Sequence, residues 1–305
     1  MAKILVTGAS GFVGAATAQR LVEDGHDVAV LLRSTSDPRR IGNVLDRLTV
    51  IRGDMMEIAA SQAAVGAFGP DTVVHLAWNS VKGVDRNSPR QIENVSNTIA
   101  LYELVTQLGC RRFIGLGSQA EYGPAGRQLD EAAPTRPTTL YGAAKLSTYL
   151  MLDRLAASQN VSFAWVRLFS SYGPGEAPNS LIPYMILHLL SGQRPSLTKG
   201  EQMWDYIHVE DAAAAIASLV ENPASGPFNL GHGDAQSLRS IFTKVRDLID
   251  PALKLGFGEI EYQPDQVMYL EADISALSAA TGWHPIIPLD QGLQETVEYY
   301  RANQK

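Results

Sequence analysis

Tyr141 and Lys145 are two side chains whose types and spacing suggest acid–base chemistry. They lie four residues apart in Leu-Tyr-Gly-Ala-Ala-Lys, a stretch of helical composition, so both project from one helix face. A free phenol has a pKa of about 10, and a neighbouring ammonium group lowers that pKa because it favours the phenolate. The pair predicts a general acid or base acting on a carbonyl or hydroxyl group, although this spacing alone is more often a helix surface pair.

Ser118 is the third candidate for this chemistry. It follows the apolar residues of Phe-Ile-Gly-Leu-Gly-Ser, which predicts a position just past the carboxyl end of a strand. Open α/β sheets bind their ligands at that edge, so the Ser118 hydroxyl could hydrogen bond the reacting oxygen beside Tyr141. The alternative is a turn serine that caps a helix.

Residues 4–14, Ile-Leu-Val-Thr-Gly-Ala-Ser-Gly-Phe-Val-Gly, place glycines at every third position after an apolar run. A strand that delivers the chain to such a turn lets the backbone approach a pyrophosphate, and the following helix directs free N–H groups at the anion. The pattern predicts a dinucleotide-binding loop rather than a simple glycine turn. Its predicted contacts are Gly8, Ser10, Gly11, Phe12, Val13 and Gly14.

The end of the second apolar run bears on the choice of dinucleotide. NAD-binding folds usually carry an acid there for the ribose, whereas this chain has Arg33 and Ser34, followed by Arg39 and Arg40. Because a guanidinium fork suits a phosphate, we expect NADP(H) rather than NAD(H), unless Arg33 simply ends a strand in solvent. Asp54 is either the acceptor for an adenine amino group or an ordinary turn residue.

The elements that must position these residues alternate between short apolar runs and helical patterns. Continuous apolar runs are typical of strands buried on both faces, and the alternation predicts an α/β fold with a doubly wound parallel sheet. The predicted strands are Ile4–Thr7, Val28–Leu32, Leu48–Ile51, Thr72–Leu76, Phe113–Leu116, Phe163–Leu168 and Phe228–Leu230. The predicted helices include Ala15–Glu23, Ile92–Leu108, Tyr141–Ser158, Ile182–Leu190 and residues 211–222.

After about Tyr172 the rhythm changes to loop composition and then to a second, smaller lobe. We predict a dinucleotide-binding domain formed by residues 1–169 plus 206–232. The lobe would comprise residues 170–205 plus 233–305, and the cleft between the two units is the natural ligand site.

Composition excludes several classes of function. The net charge of the 305 residues is −7 and no basic block stands out, which argues against nucleic acid or an anionic membrane as a partner. The longest apolar run, Leu181–Leu190, falls short of the roughly 20 residues of a membrane span, and no signal peptide precedes the first strand. We therefore expect a cytoplasmic protein. The single cysteine, Cys110, is expected to be a buried and inert thiol rather than a nucleophile, although the two arginines that follow it could lower its pKa.

Metal and hydrolase chemistry find no support in the motifs. The six histidines lack the spacing of a metal site, and His75 and His208, within or beside predicted strands, are more often packed core residues than ligands. No Gly-x-Ser-x-Gly sequence is present, so a serine hydrolase is not indicated.

Taken together, the glycine loop, Ser118 and the Tyr-x-x-x-Lys pair resemble the extended short-chain dehydrogenase/reductase family, the NAD(P)-dependent epimerase/dehydratase group. The resemblance also includes Val-Val-His-Leu-Ala at 73–77, Arg-Leu-Phe-Ser-Ser-Tyr-Gly-Pro at 167–174 and Asp-Tyr-Ile-His-Val-Glu-Asp at 205–211. It implies a Rossmann domain, a nucleotide-sugar lobe and a catalytic triad of Ser118, Tyr141 and Lys145. Family members are often homodimers through two helices, which correspond here to residues 92–108 and 141–158.

The resemblance completes the predicted site. The triad members Tyr141 and Lys145 would also contact the cofactor, with Lys145 holding the nicotinamide ribose. Further cofactor contacts would be Asp54, Met55, Leu76, Ala77, Asn94 and Phe169. The nucleoside-diphosphate sugar would contact Ser118, Gln119, Ser170, Asn179, Leu181 and Trp204.

Departures from the family pattern help to choose the reaction. The 4,6-dehydratases of this group carry an Asp-Glu pair after the triad hydroxyl residue, where this chain has Gln119 and Ala120, and Glu121 is expected to point away. A dehydratase is therefore disfavoured. Epimerases often have Asn at the position of Ser170 and Arg at that of Trp204, whose ring could instead stack on a base or sugar, or pack in the lobe core.

These features predict NADP(H)-dependent reduction of a nucleoside-diphosphate 4-keto-6-deoxy sugar. The alternatives are a nucleotide-sugar epimerase, which uses the same triad without net cofactor consumption, and a non-catalytic NADP-sensing protein, against which the intact triad counts. The identity of nucleotide and sugar would depend on lobe residues 179–183, Trp204 and 263–270.

Overall fold

The computed structural model describes residues 1–79, 81, 83–263 and 266–303, without the side chain of Val84. The first half contains β1 (Lys3–Thr7), α1 (Phe12–Glu23), β2 (Asp27–Leu32), β3 (Thr49–Arg52), α2 (Gln62–Phe68), β4 (Thr72–His75), α3 (Gln91–Gln107), β5 (Arg112–Ser118), α4 (Leu140–Gln159) and β6 (Ser162–Leu168). The second half contains β7 (Ser170–Tyr172), α5 (Leu181–Leu190), β8 (Ser196–Leu197), β9 (Met203–His208), α6 (Val209–Glu221), β10 (Gly226–Leu230), β11 (Ala235–Ser237), α7 (Leu238–Ile249), β12 (Gly256–Phe257), β13 (Tyr269–Leu270), α8 (Ser275–Thr281) and α9 (Leu289–Ala302).

The central element is a seven-stranded parallel sheet in the order β10-β6-β5-β4-β1-β2-β3. The chain builds outward from β1 to β3 and then returns to the other side of β1, where Thr7 of β1 lies beside His75 of β4. This reversal of strand order creates a crevice at the carboxyl ends of β1 and β4, which is where such sheets bind ligands. All seven predicted strands form this sheet, and the predicted doubly wound α/β fold is confirmed.

The apolar runs form strands because both sheet faces are covered by helices. Ile4, Leu5 and Val6 of β1 are each fully buried, with Ile4 and Val6 in one core cluster and Leu5 in the other. The first cluster lies under α1 and α6, and the second lies under α3 and α4. A strand that faces water on one side would alternate polar and apolar residues, which explains the continuous apolar pattern here.

The smaller lobe is built on β9, which pairs with β7, β11 and β13 and supports helices α5, α7 and α9. The buried carboxylate of Asp205 in β9 accepts hydrogen bonds from the backbone N–H groups of His232, Gly233 and Ala272 at 2.7–3.0 Å. β9 crosses the predicted domain boundary at 205/206, and α8 packs against β10 and α6 of the larger unit. The division into two units remains a prediction.

Three buried residues behave as their sequence context predicts. Cys110 is fully buried, its thiol donates to the carbonyl oxygens of Asp71 and Arg112, and burial raises its pKa to about 11. His75 lies between the hydroxyl groups of Thr7 and Thr98, and burial lowers its pKa to about 3. His208 is also fully buried. These three side chains are packed in the core.

Two further features concern the described part of the chain alone. None of its helices is long and apolar enough to cross a membrane. Among the same residues, no group of three or more histidine, cysteine, aspartate or glutamate side chains could hold a metal ion.

Candidate active site

The glycine loop between β1 and α1 is closed by contacts that exclude side chains. Gly8 has a φ of +80°, a conformation that glycine adopts without strain. A Cβ on Gly14 would lie 2.1 Å from the Gly8 carbonyl oxygen, so the start of α1 packs directly on the turn. Gly11 caps α1 and supplies no side-chain acceptor for its first N–H groups. Such a helix N-terminus fits the pyrophosphate of a dinucleotide.

A cavity of about 250 Å³ opens beside this loop at the carboxyl ends of β1, β2 and β4. Of the predicted cofactor contacts, nine line it: Gly8, Ser10, Gly11, Arg33, Asp54, Met55, Leu76, Ala77 and Asn94. Backbone-rich glycine positions form one end of the wall, and Arg33 and Asp54 form the other. The cavity therefore has the parts that a dinucleotide requires, with a backbone cradle for phosphate and polar side chains near the expected adenosine.

The other predicted cofactor contacts lie outside the cavity lining. Phe12, Val13 and Gly14 form the first turn of α1, directly after the loop. Ser34 is exposed in the turn that follows β2. Phe169 is buried in a small core cluster, with its ring centroid 6.5 Å from that of Tyr122.

Several cavity residues were not predicted from the sequence. Asn97 lies three residues after Asn94 on α3, so its helical spacing was a signal that both share one face. Ser36 also lines the cavity, and its hydroxyl accepts from the Arg33 backbone N–H at 3.1 Å. Trp78 follows β4 and lines the wall nearest the predicted triad. The remaining unpredicted lining residues are Thr7, Leu31, Gly53, Asn79 and Thr98.

The charged side chains that the sequence places near the expected adenosine differ in what they contact. Asp54 caps the 3-10 turn Met55–Ser61 by accepting from the Met56 N–H at 3.0 Å, so the turn role is realised while the residue also lines the cavity. Arg39 pairs with Asp37 at 2.6 Å. Arg40 donates to the carbonyl oxygens of Gly175 and Ser10 at 2.9 and 3.4 Å. Arg33 is the guanidinium of this group that lines the cavity.

Ser118 and Tyr141 meet at the carboxyl end of β5. Ser118 is the last residue of that strand and caps the following 3-10 turn by accepting from the Ala120 N–H at 3.2 Å. Tyr141 lies in the first turn of α4, which begins where the Thr139 hydroxyl accepts from the Gly142 N–H at 3.1 Å. The Ser118 side chain acts on the phenol as a hydrogen-bond partner that lowers its pKa. Ser118 therefore caps the turn and also contacts the phenol, and its hydrogen bond to a reacting oxygen stays a prediction.

Lys145, one turn later on α4, is buried to 2% exposure. Its ammonium donates to the Leu116 carbonyl oxygen and lies 3.7 Å from the Trp78 ring centroid. Burial lowers the pKa of Lys145 to about 7, against the opposing effect of the Glu121 carboxylate. Trp78 in turn meets the Tyr141 ring edge-on at 6.4 Å, so this indole links the cavity wall to both members of the pair.

The electrostatic setting of Tyr141 differs from the sequence-based expectation. Burial raises its pKa, and the groups that act in the opposite direction are Ser118 and Arg86. Lys145 was expected to lower this pKa, but its ammonium is directed at Leu116 and Trp78 instead. A buried ammonium needs an acceptor, and helical spacing alone does not determine which group supplies it.

A buried ion pair between Glu121 and Arg167 lies beside Ser118. The Glu121 carboxylate is fully buried and accepts from the Ser118 backbone N–H and the Trp165 indole at 2.9 Å, and from Arg167 at 2.8 Å. A Cβ on Gly117 would lie 2.3 Å from the Trp165 indole nitrogen, so glycine is required there. Glu121 therefore points into the interior, as expected, and holds the backbone of Ser118.

A model of the NAD dependent epimerase/dehydratase family matches residues 4–231, which is more than half of the chain. The chain belongs to this family. The UDP-glucose 4-epimerase of Streptomyces lividans is 30% identical, with 94% of this chain and 97% of that protein covered. The dTDP-glucose 4,6-dehydratase of Salmonella typhimurium is 26% identical, with 99% and 93% covered.

The chain is also similar to solved structures, and this similarity covers both halves of the chain. The UDP-N-acetylglucosamine 4-epimerase from Methanobrevibacter ruminantium, in complex with UDP-N-acetylmuramic acid, superposes with a TM-score of 0.90 and 25% identity over 99% of each chain. The protein is therefore an enzyme of the extended short-chain dehydrogenase/reductase type.

The predicted substrate contacts lie on several separate elements of this enzyme. Ser118 and Gln119 lie with the triad, whereas Ser170 pairs with Tyr206 between β7 and β9, and Asn179 and Leu181 flank the start of α5. The Trp204 indole donates to the Val267 carbonyl oxygen at 3.1 Å, and its ring centroid lies 6.1 Å from that of Tyr206. Within the predicted segment 263–270, residues 264 and 265 lie outside the described residues.

Proposed function

We propose that this enzyme reduces the keto group of a nucleoside-diphosphate 4-keto-6-deoxy sugar with NADP(H). The observation that carries the proposal is the convergence of Ser118 and Tyr141 beside a cavity that the glycine loop and Trp78 line. A bound nicotinamide supplies hydride chemistry. In the proposed reaction, the carbonyl oxygen lies between the two hydroxyl groups, and Tyr141 donates the proton that this oxygen requires.

The chain's own residues would hold the cofactor in three places. Gly8, Gly11 and the first turn of α1 would bind the pyrophosphate through backbone N–H groups. Asp54 would accept from the adenine amino group. Lys145 would contact the nicotinamide ribose, which requires the ammonium to exchange its contact with Trp78 for ribose hydroxyl groups.

The preference for NADP(H) rests on the adenosine end of the cavity. Arg33 and Ser36 line it, and no acidic side chain ends β2. A guanidinium and a hydroxyl group suit the 2′-phosphate, whereas a carboxylate there would repel it. This preference favours net reduction, since an epimerase regenerates its own cofactor and gains nothing from drawing on an NADPH pool. Use of that pool also supports a cytoplasmic location.

The reaction class is narrowed by the two residues after Ser118. Gln119 and Ala120 supply no carboxyl group to remove and return the elements of water. The nearby carboxylate of Glu121 is committed to Ser118, Trp165 and Arg167 in the interior. Elimination would therefore lack its acid and base, which supports reduction or epimerisation over dehydration.

Nucleotide-sugar 4-epimerisation is the second candidate. It is favoured by the similarity of the chain to 4-epimerases, among them one in complex with a UDP sugar. The same Ser118, Tyr141 and Lys145 would serve both reactions, with the hydride returned to the opposite face of the sugar. A cofactor-sensing protein without turnover would have no need of these three side chains.

A homodimer through α3 and α4 is part of the proposal. These helices pack on each other and carry exposed apolar side chains, Ile92 on α3 and Leu150 and Met151 on α4, which are 51–67% exposed. Burial of these side chains against a second copy would remove them from water.

The test is net oxidation of NADPH by purified enzyme with a panel of 4-keto-6-deoxy sugars carrying different nucleotides. Loss of absorbance at the NADPH maximum, absent in Tyr141→Phe, supports the reductase. Interconversion of UDP sugars without cofactor consumption supports the epimerase instead. Absence of either reaction over both panels, with cofactor bound, contradicts the proposed function.

A further inference from the structure

The 3-10 turn Gly83–Asn87 is fixed over the start of α4 by two side-chain hydrogen bonds. Asn87 accepts from the Leu140 backbone N–H at 3.0 Å, one residue before Tyr141. Gln91 donates to the Asp85 carbonyl oxygen at 3.2 Å and accepts from the Trp78 indole at 2.8 Å. The turn, α3 and α4 thus hold Arg86 at a defined place beside the phenol.

Arg86 faces the ring of Tyr141 directly. Its guanidinium carbon lies 5.0 Å from the ring centroid, and its Nε is buried without a hydrogen-bond partner among the described residues. Leaving a buried N–H unpaired costs free energy, and the contact of the guanidinium with the ring offsets part of that cost. A cation held in this position can act on the phenol or on its reaction partner.

The other polar groups around Tyr141 either pair with other partners or carry no charge. Lys145, from the same helix, donates to Leu116 and contacts Trp78. Glu121, from the turn after β5, is paired with Arg167. Ser118, from β5, is neutral and acts by hydrogen bonding. Among the described residues, Arg86 is therefore the cation that lies directly against the Tyr141 ring.

We propose that Arg86 is a positioning residue for proton transfer, because its guanidinium stabilises the phenolate form of Tyr141. The inference rests on the proposed function only in taking Tyr141 as the proton donor. An opposite charge at this distance favours the ionised phenol, and the pKa of Tyr141 is lowered by Arg86 against the larger effect of burial. Arg86 thus offsets part of the penalty that burial imposes on the phenolate.

The first experiment is a pH profile of kcat in the direction of reduction. Activity falls at high pH as Tyr141 loses its proton, so Arg86→Gln is expected to move that alkaline limb up by about one pH unit. Arg86→Lys, which keeps the charge, is expected to leave the limb near its wild-type position. Arg90→Gln, at an exposed arginine four residues away, is the matched control and should not move it.

The second experiment does not depend on turnover. A fluorinated tyrosine of low pKa at position 141 brings the ionisation into the neutral range, where ¹⁹F NMR follows it with and without NADP⁺. We expect an upward shift of about one unit in Arg86→Gln and near-wild-type titration in Arg86→Lys. An unchanged titration in Arg86→Gln overturns the inference, even if turnover falls. A shifted titration without turnover on any keto sugar supports Arg86 and contradicts the reductase.

Discussion

The two walls of the candidate active site are built by different physical means. The wall at the glycine loop is made of backbone, with Gly8 and Gly14 packed so closely that added side chains would collide with neighbouring backbone atoms. The wall at Tyr141 and Lys145 is made of polar side chains whose pKa values are shifted by burial. The first wall has the shape and the free N–H groups that suit an anion, and the second presents the groups to which the proposed function assigns proton transfer.

This difference predicts how each wall responds to change. A backbone-built wall should fail through steric collision and take cofactor affinity with it. Substitution of a buried polar side chain in the second wall should abolish catalysis without unfolding the protein. It can even raise the stability of the fold, because such groups are costly to bury.

Tyr141→Phe gives the largest expected effect and separates the two walls most clearly. Removal of the proton donor should lower kcat about a thousandfold, while the affinity for NADPH stays nearly constant. Steady-state kinetics and isothermal titration of the cofactor measure the two quantities. Retention of most of kcat would contradict the assignment of the proton donor.

Gly14→Ala addresses the backbone wall. The new methyl group would lie 2.1 Å from the Gly8 carbonyl oxygen, so we expect a loss of about 2 kcal/mol in the free energy of unfolding and a marked loss of cofactor affinity. Urea denaturation and cofactor titration check this. Gly66→Ala, at an exposed position inside α2, is the control and should be neutral or slightly stabilising.

Lys145→Met tests the cost of the catalytic wall. The pKa of Lys145 is 10.5 in its ordinary state and about 7 in the folded protein, so the unfolded chain binds more protons between these values. The contribution of Lys145 to the free energy of unfolding therefore rises with pH across that window, and its cost is fully present below about pH 7. We expect Lys145→Met to be inactive yet more stable at pH 6, by on the order of 2 kcal/mol, with the difference shrinking towards pH 10. Equal thermal shifts at both pH values would contradict this account.

Arg33→Ser is the smallest of these perturbations. Removal of a surface guanidinium should weaken NADPH binding about tenfold and leave NADH binding almost unchanged, since only NADPH carries the 2′-phosphate. Dissociation constants for both reduced cofactors measure the change. A parallel loss for the two cofactors would show that Arg33 contributes to the cavity in another way.

The features that could be predicted from the sequence are those built from backbone. The seven strands and the glycine loop depend on runs of adjacent residues, and each predicted strand lies within two residues of its observed bounds. The pattern alone was sufficient because parallel strands buried on both faces are continuously apolar. Asn97 was not predicted, but it could have been, because it follows Asn94 at helical spacing.

The wall at Tyr141 and Lys145 was less predictable, because its contacts join residues that are distant in the sequence. Glu121 pairs with Arg167 across 46 positions, and Lys145 reaches the Leu116 carbonyl oxygen across 29. Neither the direction of the Lys145 ammonium nor the approach of Arg86 to the phenol is encoded in local spacing. Such contacts arise only when separate elements are assembled, so residue types could nominate the groups but not their neighbours.

The buried carboxylate of Asp205 limits how far the chain segments around it can move apart. It accepts from the backbone N–H groups of His232, Gly233 and Ala272, so separating these segments would break three hydrogen bonds to a charged acceptor, each worth about 1.5–3 kcal/mol. Opening of the chain at this junction is therefore costly. We expect β9 and the segments that follow β10 and β13 to move together as one unit.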